Sequence, residues 1–315
     1  MGRFAANVDE VVVDVLTVLL QCITVSAAHQ TTTDGLRHMT DLLSPQLLKA
    51  RNVFVSGGSS GINLAIADTC ASLGANLLIA GRTEATLKNA VTQLGRHGTK
   101  VVYAVADVRD GDAVSAAFEH GVRELGGVDA AICGAAGNFL APAEAISTKG
   151  FKAVMEIDLL GSFHWAKAAF EHVRASHGTI LFVSAGQSKT PFAFQAHVTA
   201  AKAGVDQLMR ALAVEWGGHG IRVNSIVPGP TAGTEGMKRL AQLVGDEVWT
   251  SMIPLGRFAE LREIAVMAAV LISPIASFVN GAQVVVDGGM MLSGAAPFNQ
   301  AVGPAVEAAA RAAES

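Results

Sequence analysis

Val53-Phe-Val-Ser-Gly-Gly-Ser-Ser-Gly-Ile-Asn-Leu-Ala-Ile-Ala67 reads as three pieces. A β-branched run ends at Ser56, a turn of Gly57, Gly58, Ser59, Ser60 and Gly61 follows, and apolar residues then fall at Ile62, Ile66 and Leu73 with helical spacing. Strand, glycine turn and helix together make a seat for phosphate. The glycines let backbone approach a pyrophosphate, and the helix start offers free N–H groups with a partial positive charge. Such a turn also occurs as plain turn chemistry in α/β proteins, so its surroundings decide what it means.

Outward from this stretch, strand-like runs recur at Asn52–Ser56, Asn76–Ala80, Lys100–Ala104, Val128–Cys133, Thr179–Ser184, Arg222–Val227 and Gln283–Val286. Helical patterns lie between them, over about 61–73, 83–95, 111–125, 147–175, 196–216 and 260–272. This alternation predicts a doubly wound α/β Rossmann fold, with a seven-stranded, mainly parallel sheet and helices on both faces. In that fold ligands bind at the carboxyl ends of the strands. The segment Pro228–Leu255 opens with Pro-Gly-Pro and is long for a connection, so it is expected to be a lid or substrate loop. The domain is expected over 44–294, followed by an Ala-rich tail, 295–315. Residues 1–43 fit none of the pattern. They read either as a docked N-terminal helix or as an extension upstream of a start at Met39.

Composition narrows the partners. Apolar residues make up 50% of the 315-residue chain and charged residues 16%, which suits a well-buried core. A net charge of −4 without a basic run argues against nucleic acid. Cys22, Cys70 and Cys133 stand singly, with neither metal nor disulfide spacing, so a reducing compartment and no metal are expected. The most apolar early run, Val15–Ala28, is too short to span a membrane, and the acids Asp9, Glu10 and Asp14 before it do not suit a signal peptide. A cytoplasmic protein is expected.

The second strand ends in Ala80-Gly81-Arg82-Thr83. A carboxylate there would bind a ribose 2′-hydroxyl; an arginine suits a 2′-phosphate and favours NADP over NAD. The bland alternative is a solvated arginine near a helix start. Asp107 reads either as an acceptor for an adenine amino group or as a turn cap.

As an ordered set, Gly57-Gly58-Ser59-Ser60-Gly61-Ile62, Gly134-Ala135-Ala136-Gly137, Lys202, Asn224 with Pro228-Gly229, and Asp287-Gly288-Gly289 resemble the short-chain dehydrogenase/reductase family over Asn52 to Leu292. Two departures stand out. Asn63 replaces a usual glycine, where it is expected to crowd the strand–helix approach. The family's tyrosine, four residues before the lysine, is replaced by Val198, and its serine position holds Ala185 next to Ser184. The only tyrosine, Tyr103, lies on a strand of the cofactor half. Without a phenol beside the lysine, ordinary alcohol–ketone interconversion loses its proton carrier.

Cys133-Gly-Ala-Ala-Gly-Asn-Phe-Leu140, Val154-Met-Glu-Ile-Asp158, His197 five places before Lys202, and the run Pro228 to Leu240 resemble one branch of that family, the peroxisomal-type 2,4-dienoyl-CoA reductases. The resemblance implies NADPH-dependent reduction of 2,4-dienoyl-CoA to 3-enoyl-CoA in unsaturated fatty acid degradation. It assigns Asp158 and Lys202 to a water-mediated proton relay. NADPH falls to Gly57, Ser59, Ser60, Gly61, Ile62, Arg82, Asp107, Lys202 and Pro228, and the acyl-CoA side to Arg109, Asn138, Phe139 and Lys238 or Arg239. A homo-oligomer, dimer or tetramer, is also implied. Two other functions stay open: a trans-2-enoyl-CoA reductase and a catalytically inactive NADP-binding module. So do bland roles for single residues. Lys202 reads alternatively as a solvated helix lysine, Asp158 as a helix-surface acid, His197 as structural, Phe139 as core, and Lys238 and Arg239 as a solvated pair.

Overall fold

The structure, a computed structural model, describes residues 43–238 and 245–295. The expectations for the N-terminal extension, for a start at Met39, for Cys22, for the tail beyond 295 and for Arg239 lie outside the described residues.

The chain alternates as its pattern predicts: β1 Asn52–Ser56, α1 Gly61–Ser72, β2 Asn76–Gly81, α2 Glu84–Gly95, β3 Val101–Val105, α3 Gly111–Leu125, β4 Ala130–Cys133 and α4 Thr148–Val154. A π-helical stretch, Met155–Leu160, leads directly into α5 Gly161–Ser176. Then come β5 Thr179–Val183, α6 Ala196–Gly217, β6 Arg222–Pro228, α7 Asp246–Ser251, α8 Leu261–Ile272 and β7 Gln283–Val286. The strands form one seven-stranded sheet in the order β3-β2-β1-β4-β5-β6-β7. Every pairing is parallel, so the sheet is wholly rather than mainly parallel. The order reverses between β1 and β4, which opens the ligand crevice of a doubly wound fold.

Central strands bury both faces, hence their continuous apolar runs. One face packs Phe54, Leu78 and Phe182 against Phe118 of α3, Trp165 of α5 and Met209 of α6. Phe118 meets the Trp165 ring edge-on at 4.7 Å between centroids, a favoured aromatic geometry. On the other side α1 packs against α8. The 228–255 connection is partly ordered: Thr231 bridges Ala259, residues 235–238 are helical and α7 follows.

Candidate active site

The site collects at the carboxyl ends of β1, β4, β5 and β6. Gly57 and Gly61 take positive φ, +69° and +56°, which L side chains rarely adopt. A Cβ on Gly58 would lie 2.9 Å from the Ile79 side chain. Ser60 precedes α1 with extended backbone and does not cap it with its side chain, so the first N–H groups remain available. Ser56, absent from the expected site, fixes the neighbouring loop: its buried hydroxyl donates to Ile132 O and accepts from the N–H groups of Gly134 (2.9 Å) and Ala135 (3.3 Å).

Asn63 does not crowd β1 as expected. Its side chain turns toward the loop after β4 and donates from Nδ2 to Gly134 O at 2.7 Å. Gly134 must be small for this, because a Cβ there would lie 2.3 Å from Asn63 Oδ1.

At the end of β2, Arg82 is exposed and, among the described residues, makes no hydrogen bond. Ser59 Oγ lies 3.5 Å from Thr86 Oγ1 and would lie 3.6 Å from a Cβ on Gly81. Asp107 and Arg109, expected on different ligands, clasp each other: Arg109 donates through Nε and Nη2, the latter at 2.6 Å. That guanidinium, chiefly by hydrogen bonding, holds the Asp107 carboxyl below its ordinary value. Tyr103 sits on β3, the edge strand, and donates to Glu84 at 3.0 Å, away from the catalytic half.

Asp158 and Lys202 meet as the resemblance implies. Lys202 Nζ is 3.2 Å from Asp158 Oδ2, with the two side chains 8% and 1% exposed. Asp158 Oδ1 accepts from Gly137 N at 2.7 Å, and Lys202 donates to Val183 O at 3.2 Å. Asp158 Oδ2 accepts no hydrogen bond of good geometry. The π-helical stretch carries Asp158, an irregularity that often marks functional sites in helices. The expected continuous helix over 147–175 is thus interrupted at the acid. Val198, at the position of the absent phenol, is buried against Val154 and Ala201.

The outer wall joins two loops. Ala141 N donates to Phe194 O at 3.0 Å. Gln195, buried, donates to Asn138 Oδ1 at 3.3 Å and accepts from Gln187 Nε2 at 2.8 Å. Phe139 meets His197 with ring centroids 4.0 Å apart and planes tilted by 33°, and its exposure takes it out of the core. Phe139, Leu140 and Phe194 are 40%, 42% and 60% exposed and form an apolar rim. Gln187 and Gln195 had no motif to signal them; only the approach of the two loops brings them to Asn138. Lys238, exposed, pairs with Glu235 at 2.8 Å. Pro228 ends β6 at the mouth of the crevice.

The profile of the enoyl-(acyl carrier protein) reductase family matches residues 57–291. The chain is 42% identical over 250 residues, 78% of its length and 86% of the relative's, to the peroxisomal 2,4-dienoyl-CoA reductase, (3E)-enoyl-CoA-producing, of Saccharomyces cerevisiae. It is 38% identical, over 78% of its length and 98% of the relative's, to a probable 2,4-dienoyl-CoA reductase, (2E)-enoyl-CoA-producing, of Bacillus subtilis. Among solved structures, levodione reductase superposes with a TM-score of 0.75 at 29% identity, covering 78% of this chain and 99% of that one. With its wholly parallel sheet, its match to the family profile over residues 57–291 and its 42% identity to a relative over most of its length, the chain belongs to the short-chain dehydrogenase/reductase family.

Proposed function

We propose that this protein reduces 2,4-dienoyl-CoA to 3-enoyl-CoA with NADPH in the degradation of unsaturated fatty acids. The buried Asp158–Lys202 pair carries the reading, because no phenol stands beside the lysine. The residues present fit the cofactor. Gly57, Gly58, Ser59, Ser60, Gly61 and Ile62 form a cradle that side chains on the glycines would fill or strain. Arg82, exposed and without a hydrogen bond among the described residues, suits a 2′-phosphate, and it follows Gly81, whose Cβ would lie 3.6 Å from the Ser59 hydroxyl. Asp107 follows β3 and Pro228 ends β6, both at the carboxyl edge of the sheet where ligands of this fold bind. The nicotinamide, when bound, supplies a hydride to the δ carbon of the diene.

The chain's own groups then handle charge and proton. Electron density moves toward the thioester oxygen, and the α carbon must be protonated. Asp158 Oδ2, lacking a hydrogen bond, and the Lys202 ammonium can hold one water between them, and the ammonium makes that water more acidic. Asn138, Phe139 and the apolar rim suit the acyl chain, while Arg109 and the Lys238–Arg239 segment are assigned to the CoA phosphates. To reach them Arg109 must leave its clasp on Asp107.

We also place the enzyme in the cytoplasm as a homo-oligomer. No described helix is long and apolar enough to cross a membrane. A cavity of about 370 Å³, lined by Met155, Glu156, Leu159, Leu160, Phe163 and Leu208, leaves Leu160 and Phe163 41% and 38% exposed. A second copy of the chain covers it.

Purified protein should oxidise NADPH with a 2,4-dienoyl-CoA and not with simple ketones. Turnover of 2-enoyl-CoA but not of dienoyl-CoA, or of neither, would overturn the proposal. Chromatographic analysis of the product separates 3-enoyl from 2-enoyl thioester.

A further inference from the structure

His197 has no assigned work in the reading above, yet its place is unusual. It is the second residue of α6, a helix of 22 residues, and is fully buried. Neither ring nitrogen reaches hydrogen-bond geometry. The Phe139 ring lies over it, 4.0 Å between centroids, and is itself part of the exposed wall. A phenylalanine at this position would stack as well on Phe139 and leave no polar atom unsatisfied. Burying an imidazole whose one nearby acceptor, the Phe139 backbone, falls short of hydrogen-bond geometry disfavours folding, so the nitrogen needs another reason to be there.

Burial holds the ring below its ordinary pKa. The Asp158 charge and the Phe139 backbone oppose this more weakly. The partial positive charge at the start of α6 acts in the same direction as burial. Both effects favour the neutral form, which carries one N–H and one lone pair. A neutral imidazole at a helix N-terminus is a strong donor to an oxygen that is gaining negative charge, and it keeps its proton while donating.

We propose that His197 is a further catalytic residue, donating its N–H to the thioester oxygen of the acyl-CoA as charge gathers there. The inference rests on the dienoyl-CoA reading. Phe139 is the movable cover: turned aside by the acyl chain, it opens the imidazole to the substrate. Division of labour follows. Hydride enters at the δ carbon, the electron pair moves to the thioester oxygen held by His197, and the α carbon takes its proton from the water held by Asp158 and Lys202. His197 neither gains nor loses a proton.

Two variants of the full chain test this with 2,4-hexadienoyl-CoA and NADPH. His197→Phe keeps the stack and removes both nitrogens; His197→Gln keeps a donor. His197→Phe should lower kcat about 100-fold, the scale of losing one oxyanion donor, with unchanged NADPH affinity and a melting temperature no lower than wild type. His197→Gln should recover part of the loss. A His197→Phe enzyme with wild-type kcat overturns the proposal, as does equal failure of both variants accompanied by parallel loss of NADPH binding. A measurement without turnover separates this inference from the reading beneath it. Nitrogen NMR of histidine-labelled protein, titrated with the unreactive hexanoyl-CoA, should shift the resonance that His197→Phe removes. An unmoved resonance in an enzyme that turns over dienoyl-CoA sinks the role of His197. Absence of all dienoyl turnover sinks the reading itself.

Discussion

Asn63 Nδ2 sits 2.7 Å from the carbonyl oxygen of Gly134, and a methyl group on Gly134 would lie 2.3 Å from Asn63 Oδ1. The two residues are a matched pair that ties the first turn of α1 to the loop after β4. Gly134→Ala alone should destabilise the protein by about 1–3 kcal/mol through overpacking and weaken NADPH binding, since both loops line the cofactor crevice. Asn63→Gly alone loses one hydrogen bond, about 1 kcal/mol. Combined, the two substitutions should cost less than Gly134→Ala by itself, because the clash is gone. Thermal unfolding and NADPH fluorescence titration of the four proteins check this; strict additivity would show that the two do not interact.

Removing either member of the Asp158–Lys202 pair leaves the other charge buried and alone. Asp158→Ala and Lys202→Ala should each abolish turnover and destabilise by about 3–5 kcal/mol. The apolar double variant Asp158→Leu/Lys202→Met should regain much of that stability and none of the activity. Denaturant unfolding beside the NADPH-oxidation assay makes the test. Activity in the double variant would remove the pair from the chemistry.

Arg82 is exposed and without a hydrogen bond among the described residues, so its substitution has little to disturb in the fold. Arg82→Asp should weaken NADPH by about tenfold to 100-fold, the range of a charge-assisted hydrogen bond. NADH binding should change little. Equal losses for both dinucleotides would refute the 2′-phosphate assignment.

Much of this was legible in the chain. Strand ends fall within two residues of the apolar runs, because central parallel strands are continuous hydrophobic segments bounded by Gly and polar residues. The Asp158–Lys202 meeting was legible only through resemblance, since the two lie 44 positions apart and tertiary packing brings them together. The π-helical stretch at Met155–Leu160 was not legible: nothing in the spacing of its residues sets it apart from the helical pattern on either side. Nor was the true role of Asn63, whose partner lies 71 positions away. The Arg109–Asp107 clasp is different. Opposite charges two apart just after a strand were visible, and reading each toward a separate ligand hid their mutual attraction.

The support behind the phosphate seat has its own pH dependence. Glu263 in the first turn of α8 takes two 2.7 Å hydrogen bonds from Arg257 and one of 2.8 Å from Glu260 N, completing a capping box. Arg257, first, and the Glu260 backbone hold the Glu263 carboxyl below its ordinary value, against the opposing effect of burial. A carboxyl lowered in the folded state binds protons more weakly there than in the unfolded chain. Its stabilisation is therefore present above the unfolded value, about 4.3, and is lost as pH falls through the folded value. Arg257 is half exposed, so solvent screens the pair and the contribution stays near the cap's own, about 1 kcal/mol. Glu263→Gln should melt lower than wild type at pH 7, and the gap should close as pH falls below about 4. Because α8 packs on α1, the variant should also bind NADPH more weakly at neutral pH while kcat holds. A melting gap that persists unchanged in acid would show that the carboxylate charge is not what holds α8 in place.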